Sequence, residues 1–332
     1  MFVRRYFLIG SALFLALALS MISSSGFTKN PEVIRIGVQK YGALIILKQL
    51  GTLDTVLAAK GIKIEWTEFP GGPQLPDALN VGSIDFGVTG EAPPVFAQAA
   101  GAPLLYVGAE PPAPDGEAIL VPKDSPIKSV ADLKGKKVAL NKGSNVHNLL
   151  VNVLASENIA YTDITTVFLP PADARAAFEK GAVDAWAIWD PYYAATELAI
   201  QPRVLATGRE LSNNNSFYLA SVPFATRYAN TIAALFDELT RADRLVQENR
   251  KEAIKLIADF SGLDAGVVSL FLQRRPKSPV GPLKPETIAD QQRVADAFAQ
   301  LGLIPKPVKV AEIVWQAAPQ RLAQAATPAK LK

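Results

Sequence analysis

One histidine, His147, stands in the stretch Lys142-Gly143-Ser144-Asn145-Val146-His147-Asn148-Leu149-Leu150. Four chemistries are open to such a stretch: general-base catalysis, metal ligation, nucleotide phosphate binding, and capture of some other anion. A metal is disfavoured because one imidazole and no cysteine cannot fill a transition-metal shell without several carboxylates, and His147 has no partner at ligand spacing. A nucleotide loop needs a longer glycine run ending in Gly-Lys-Ser/Thr, whereas the order here is Lys142-Gly143-Ser144. A Ser/His/Asp site would have to use His147, but Ser144 fits a helix N-cap and no nucleophile elbow is present. What remains is an anion cradle. Val146, Leu149, Leu150, Val153 and Leu154 fall on one stripe of a helix that opens directly after the β-rich run KKVAL. Gly143 permits close backbone approach there, and the free amides of a helix start, aided by its dipole, favour negative charge. For His147 itself the plain alternative is a helix-start histidine that packs or meets water.

A second helix start matches the first. Thr89-Gly90-Glu91 leads into Ala92-Pro93-Pro94-Val95-Phe96, with prolines suited to a first helical turn. An internal echo relates this corner to another: aligning Ala78 of ALNVGSIDFGVTGE with Ala177 of AFEKGAVDAWAIWD places Gly82 on Gly181 and Asp85 on Asp184. Each copy reads as helix end, glycine cap, strand and turn, so Thr89-Gly90-Glu91 and Trp189-Asp190 should occupy equivalent corners at strand carboxyl ends, where open α/β sheets bind ligands. In Trp186-Ala187-Ile188-Trp189-Asp190-Pro191-Tyr192-Tyr193, Asp190-Pro191 fits an N-cap followed by proline at the first helical position. Trp186 and Trp189 point to opposite faces of a strand, and Trp189, nearer its end, is the expected wall of a cleft. Phe217 and Tyr218 offer either a further apolar surface or plain packing.

The elements that must position these residues alternate. VIRIGV, IKIEWTEF, IDFGV and LLYVG read as strands, separated by helical patterns at Leu44 to Ala59, Leu75 to Asn80 and Pro94 to Ala100. The proline-rich Glu110 to Gly116 interrupts this series, and AILV, KKVAL, ITTVFL, VDAWAIW and RVLAT begin a second one. The asparagine-rich Asn213 to Ala220 returns, and helices at Ala233 to Phe260, Gly266 to Arg274 and Thr287 to Leu301 follow. This predicts two α/β lobes with largely parallel sheets, one of them inserted in the other: residues 26–116 and 216–332 form the first, and 117–215 the second. The C-terminal AQAATPAKLK reads as a frayed end.

Of the 332 residues, 49% are hydrophobic and 20% charged, enough for more than one core, and the net charge of +3 includes Arg4 and Arg5. Those two precede an apolar run, Phe7 to Leu19, and then Ser23, Ser24 and Ser25, so residues 1–25 read as a cleaved export signal, faintly of twin-arginine type. The apolar run is shorter than the roughly 20 residues that span a membrane. With that basic pair removed the chain is near neutral, which gives no reason to invoke nucleic acid. The absence of cysteine leaves stability to packing and rules out a lipid-anchored cysteine at the cleavage site, so the mature chain is expected to be a freely diffusing monomer in the periplasm.

Taken together, IGVQK, EFPGGPQ, ALNVGSIDFGVTGEAPP, YVGAEPP, DLKGKKVALNKGS, PADARAAFEKGAVDAWAIWDPYY and SFYLA resemble the aliphatic-sulfonate-binding proteins of ABC importers over nearly the whole mature chain. The resemblance implies a type II periplasmic-binding-protein fold, two α/β lobes joined by two crossing segments. It also implies a ligand held between them, no cofactor, and delivery to a membrane permease driven by an ATPase. Matched motif by motif, it assigns ligand contacts to Gln39, Gly90, Glu91, Ser144, His147, Trp189 and Asp190. Thr89, Gly143, Asn145 and Tyr218 complete the candidate set. Asn145 and Val146 depart from the small hydroxyl residues common in the family, and Glu91 from its usual Asp. Glu91 and Asp190 would repel a sulfonate head-on, so they are expected to accept from amides, hydroxyls or lysines, or to meet a ligand's ammonium group. Taurine, nitrate and a thiamin precursor remain alternative ligands. Enzymes of similar fold need a cofactor-bearing cysteine or several histidines, and a transcriptional sensor needs a helix-turn-helix; this chain has none of these.

Overall fold

The computed structural model describes residues 32–40, 42–276 and 280–316. The export signal expected at residues 1–25 and the C-terminal AQAATPAKLK lie outside them. Among the described residues the alternating pattern yields ten strands in two five-stranded sheets.

The first series runs β1 (Glu32–Val38), α1 (Ala43–Leu50), α2 (Thr52–Ala58), β2 (Ile62–Glu68), α3 (Gln74–Asn80), β3 (Phe86–Gly90), α4 (Ala92–Ala99) and β4 (Leu104–Ala109). The second runs β5 (Glu117–Val121), β6 (Lys137–Leu140), α5 (Asn145–Ser156), β7 (Thr165–Phe168), α6 (Pro171–Glu179), β8 (Ala185–Trp189), α7 (Tyr192–Ile200) and β9 (Arg203–Thr207). The chain then returns through β10 (Ser216–Ser221) and ends in α8 (Val222–Arg227), α9 (Ala229–Glu248), α10 (Arg250–Ser261), α11 (Ala265–Arg274) and α12 (Pro285–Gln300).

The strand order is β2-β1-β3-β10-β4 in one sheet and β7-β6-β8-β5-β9 in the other. The sheets are mixed rather than largely parallel. β1 pairs parallel with β3, and β6 with β7 and β8, but β10 runs antiparallel between β3 and β4 and β5 antiparallel between β8 and β9. Both exceptions are the strands by which the chain enters one sheet from the other, and nothing local in a strand's sequence encodes its direction. The crossings lie side by side: Glu110 N donates to Ser216 O at 2.9 Å, Ala113 N to Asn213 O at 2.9 Å, and Gly208 N to Pro114 O at 2.9 Å.

Two long helical readings are each split. Gly51, at φ 64, stops α1 before α2, as a left-handed C-cap glycine does. Asn249 separates α9 from α10. The core has three parts. Ile34, Ile36 and Val38 pack with α1, α9 and α11 on one face of the first sheet; Leu75, Leu79 and Val95 pack with Phe298 on its other face; Ile119, Val138, Leu150 and Trp186 fill the second lobe. Phe217 and Tyr218, adjacent in β10, enter the two faces of the first sheet, which settles them as packing residues rather than an open hinge surface.

Candidate functional site

The first corner forms where β3 ends at Gly90 and Glu91 leads into α4. Glu91 is buried, yet its carboxylate is fully served: it accepts from Asn148 Nδ2 at 2.6 Å, Ser212 Oγ at 3.0 Å and Asn215 N at 3.1 Å. Burial pushes its carboxyl above the ordinary carboxylate range, and these donors only partly oppose that. Pro93 and Pro94 remove two of the amides a helix start would otherwise present. Thr89 is fully buried against the Gly71-Gly72 turn, with no partner for its hydroxyl among the described residues.

The second corner opens α5. Ser144 holds the N-cap position, but its hydroxyl donates back to Asn141 O at 2.7 Å and makes no cap bond. Helix geometry therefore leaves the Asn145 amide without an intrahelical partner. The Asn145 side chain donates to Glu117 Oε2 at 2.8 Å and Asn214 Oδ1 at 2.9 Å, so it pins α5 to both crossings. A Cβ added at Gly90 would stand 3.0 Å from Asn145 Cβ. The two helix starts thus meet, one from each lobe.

His147 and Gly143 are not part of that meeting. The Gly143 amide donates to His147 Nδ1 at 3.2 Å, and His147 Nε2 pairs with Tyr161 OH at 2.7 Å, which fixes a neutral ring with both nitrogens occupied. The ring is fully buried beside Phe96 and Phe298 of the first lobe, and burial, then Lys142, lowers its pKa to about 4. The physical reason is tertiary. The face of α5 turned away from its own sheet packs on α4 and α12, so a residue that reads as solvent-facing becomes core. The plain packing alternative describes this histidine, and Gly143's amide serves it rather than a ligand.

Between the corners lies a cavity of about 60 Å³, lined by Gly90, Asn145, Trp189, Asp190, Arg274 and Arg275, among others. That is the space of about two waters, suited to a small head group. Asp190 does not cap α7 at the expected position, because the helix starts one residue later and Pro191 is the N-cap residue. Its Oδ1 still accepts from Ala194 N at 3.0 Å, and it also receives Arg274 Nη1 at 3.1 Å. Burial raises its carboxyl to about 7, with Arg274 opposing. Arg274 also bonds Glu197 and lies 3.8 Å over the Tyr193 ring, which links α11 of the first lobe to α7 of the second. Arg275 Nη2 meets Glu110 Oε2 at 3.2 Å, and Glu110 Oε1 accepts from Tyr218 OH at 2.8 Å. Tyr218 is therefore behind the site, not in it.

Trp189 lines a second cavity too, of about 480 Å³, with Gln39, Lys40, Phe69, Tyr192 and Leu263. The indole lies against the Gly71-Gly72 turn: a Cβ added at Gly71 would stand an ordinary 3.6 Å from Trp189 Cζ2. Trp186 packs on Phe178 in the second core, so Trp189 is the cleft-facing tryptophan. Gln39 donates to Val88 O at 2.9 Å, and its Oε1 has no partner among the described residues.

Of the expected residues, Gly90, Asn145, Trp189 and Asp190 converge on the small cavity and Gln39 on the larger one. Thr89, Glu91, Gly143, Ser144, His147 and Tyr218 form the frame behind them. Sequence reasoning passed over Arg274, Arg275 and Glu110. Two adjacent arginines ending an apolar-striped helix just before Pro276 were the available signal. Among the described residues no group of three or more His, Asp or Glu could hold a metal, and no helix is long and apolar enough to cross a membrane.

A family model described as NMT1/THI5 like matches residues 57–267. The chain is 47% identical over 306 residues to the aliphatic sulfonates-binding protein of Escherichia coli (strain K12), covering 91% of this chain and 95% of that one. Among solved structures, the alkanesulfonate-binding protein of Xanthomonas axonopodis pv. citri bound to MOPS matches with a TM-score of 0.83 and 48% identity, over 87% of this chain and 100% of that one. The periplasmic aliphatic sulphonate binding protein of Escherichia coli matches with a TM-score of 0.80 and 48% identity, over 87% and 93%. The two-lobed periplasmic-binding-protein fold expected from the sequence is the fold of these neighbours, and the chain belongs to the NMT1/THI5-like family and to the aliphatic-sulfonates-binding proteins.

Proposed function

We propose that this chain is the substrate-binding protein of an ABC importer, which captures an aliphatic sulfonate between its lobes in the periplasm and delivers it to a permease and its ATPase. It acts as a monomer without a cofactor once residues 1–25 are removed. The observation that carries this reading is the seating of two helix starts and an arginine pair around a 60 Å³ cavity, with Trp189 dividing it from a 480 Å³ cavity that is partly aromatic. A sulfonate stays anionic at every physiological pH, and its three oxygens need several fixed donors, which a helix-start backbone amide and a guanidinium supply. Its carbon chain needs apolar surface, which Phe69, Tyr192, Leu263 and the indole supply. Closure of the lobes on the ligand would then present one conformation to the permease.

Calorimetry of the mature chain with alkanesulfonates, taurine, sulfate and nitrate tests the reading. Alkanesulfonates are expected to bind tightest, because sulfate and nitrate leave the larger cavity unused. Binding by none of the sulfonates removes the proposal; preference for taurine or nitrate would transfer the same role to that ligand.

A further inference from the structure

We infer that Arg275 is the fixed cation of the head-group site, donating from Nη1 to a sulfonate oxygen while Glu110 and Tyr218 hold its guanidinium plane in place. The inference rests on the sulfonate reading above and assigns the charge within it.

Arg275 lines the small cavity, is largely buried, and bonds Glu110 through Nη2 at 3.2 Å. Its Nη1 is buried with no hydrogen-bond partner among the described residues. A guanidinium cannot shed its charge to relieve such a vacancy, and a buried donor left unmade costs free energy that an incoming acceptor recovers. The neighbouring donors are committed elsewhere. Arg274 spends itself on Asp190, Glu197 and the Tyr193 ring. The Asn145 amide group is held by Glu117 and Asn214. Proline at 93 and 94 thins the amides of α4, and the Gly143 amide is taken by His147. A head group entering this cavity therefore finds the Asn145 backbone amide and one unspent charged donor. Orientation of that donor is built from the core outward: Tyr218, fully buried in β10, donates to Glu110 at 2.8 Å, and Glu110 holds the guanidinium. Glu110 and Tyr218 are positioning residues in this account.

The test is titration of the mature chain with pentanesulfonate and with its uncharged isostere pentanesulfonamide. R275M alone would strand Glu110, so R275M/E110Q, which removes both charges, is measured beside it, with thermal melting as the check on folding. If Arg275 grips the sulfonate, the double variant melts as a folded protein and loses about 10- to 150-fold in affinity for pentanesulfonate, the range of one charge-assisted hydrogen bond. Affinity for the sulfonamide stays within a few-fold, because a neutral head group draws little from the charge. R275K loses less than R275M/E110Q, since it keeps the charge without the fork. An unchanged sulfonate-to-sulfonamide ratio in the double variant overturns the assignment, with the sulfonate reading intact. Failure of the unsubstituted chain to bind pentanesulfonate defeats that reading, and this inference with it.

Discussion

Glu91 and Asp190 stand at the same place in two copies of one local plan. In each lobe a left-handed glycine, Gly82 at φ 70 or Gly181 at φ 69, ends a helix. An aspartate three residues on then accepts from a backbone amide of the neighbouring strand: Asp85 from Arg35 N at 2.9 Å, Asp184 from Lys137 N at 2.7 Å. The copies diverge in the partners of the carboxylate past the strand end. Glu91 is held by three uncharged donors of the second lobe, Asn148, Ser212 and Asn215, whereas Asp190 is held by the Ala194 amide of its own lobe and by a guanidinium from the other. A carboxylate served by neutral groups of the second lobe, beside the crossings, is a pin at the joint between the lobes. One served by Arg274 across the cleft is a contact that lobe opening must break. The same local geometry meets two kinds of partner in the two lobes.

The largest effect should come from the pin. Glu91→Leu strands the buried donors of Asn148, Ser212 and Asn215, and is expected to cost about 3 kcal/mol or more in urea unfolding, given 1–3 kcal/mol for each buried group left unsatisfied. Glu91→Gln keeps shape and acceptor and should cost far less, because burial already disfavours the charge. If the two variants lose the same amount, Glu91 works through its charge and the contrast with Asp190 is void.

Arg274→Met comes next. It leaves Asp190 without its cation, with an expected loss of about 2 kcal/mol at pH 8, below the 3–5 kcal/mol of a fully buried broken pair because both side chains keep some exposure. The effect should fade with acid. Asp190's carboxyl is raised to about 7, so as pH falls through 7 it takes up a proton and its charge pair with Arg274 is lost, leaving less for the substitution to remove. The global sign is opposite: a carboxyl raised on folding binds its proton more tightly in the folded chain, so this group stabilises the fold as pH falls from 7 toward 4. Melting both chains at pH 8 and pH 6 separates these two trends. A gap between them that is as wide at pH 6 would show that Arg274 serves Glu197 or Tyr193 instead.

The comparison also marks how far the sequence could be read. The order of strands and helices follows from period and punctuation, and the equivalence of the two corners follows from the echo around Gly82 and Gly181, because each is a local property. The antiparallel insertion of β5 and β10, the burial of His147 and the split of Phe217 from Tyr218 depend on what lies opposite, which no window of sequence contains. Arg274 and Arg275 escaped notice for a related reason. Basic residues in the last turn of a helix are already explained by its dipole, so nothing about them demands a ligand until Glu110 and Asp190 are seen beside them.

Two glycines give the smallest and sharpest test. Gly90 lies outside the left-handed region, but an added Cβ would press within 3.0 Å of Asn145, a contact made between lobes. Gly90→Ala should therefore fold with little loss of stability yet hold the helix starts apart, lowering sulfonate affinity by about tenfold, or 1.4 kcal/mol. Gly143 is the reverse. It sits at φ 70, where a side chain strains the backbone, while its added Cβ would meet Phe96 only at an ordinary 3.6 Å. Gly143→Ala should cost about 1 kcal/mol of stability and leave affinity unchanged, because its amide is bonded to His147 and offers nothing to the cleft. Calorimetry and melting on both variants decide between a ligand cradle at Gly143 and one at Gly90. A tenfold loss of affinity in Gly143→Ala, with Gly90→Ala unaffected, would move the head group to the wrong side of α5 for the cavity described here.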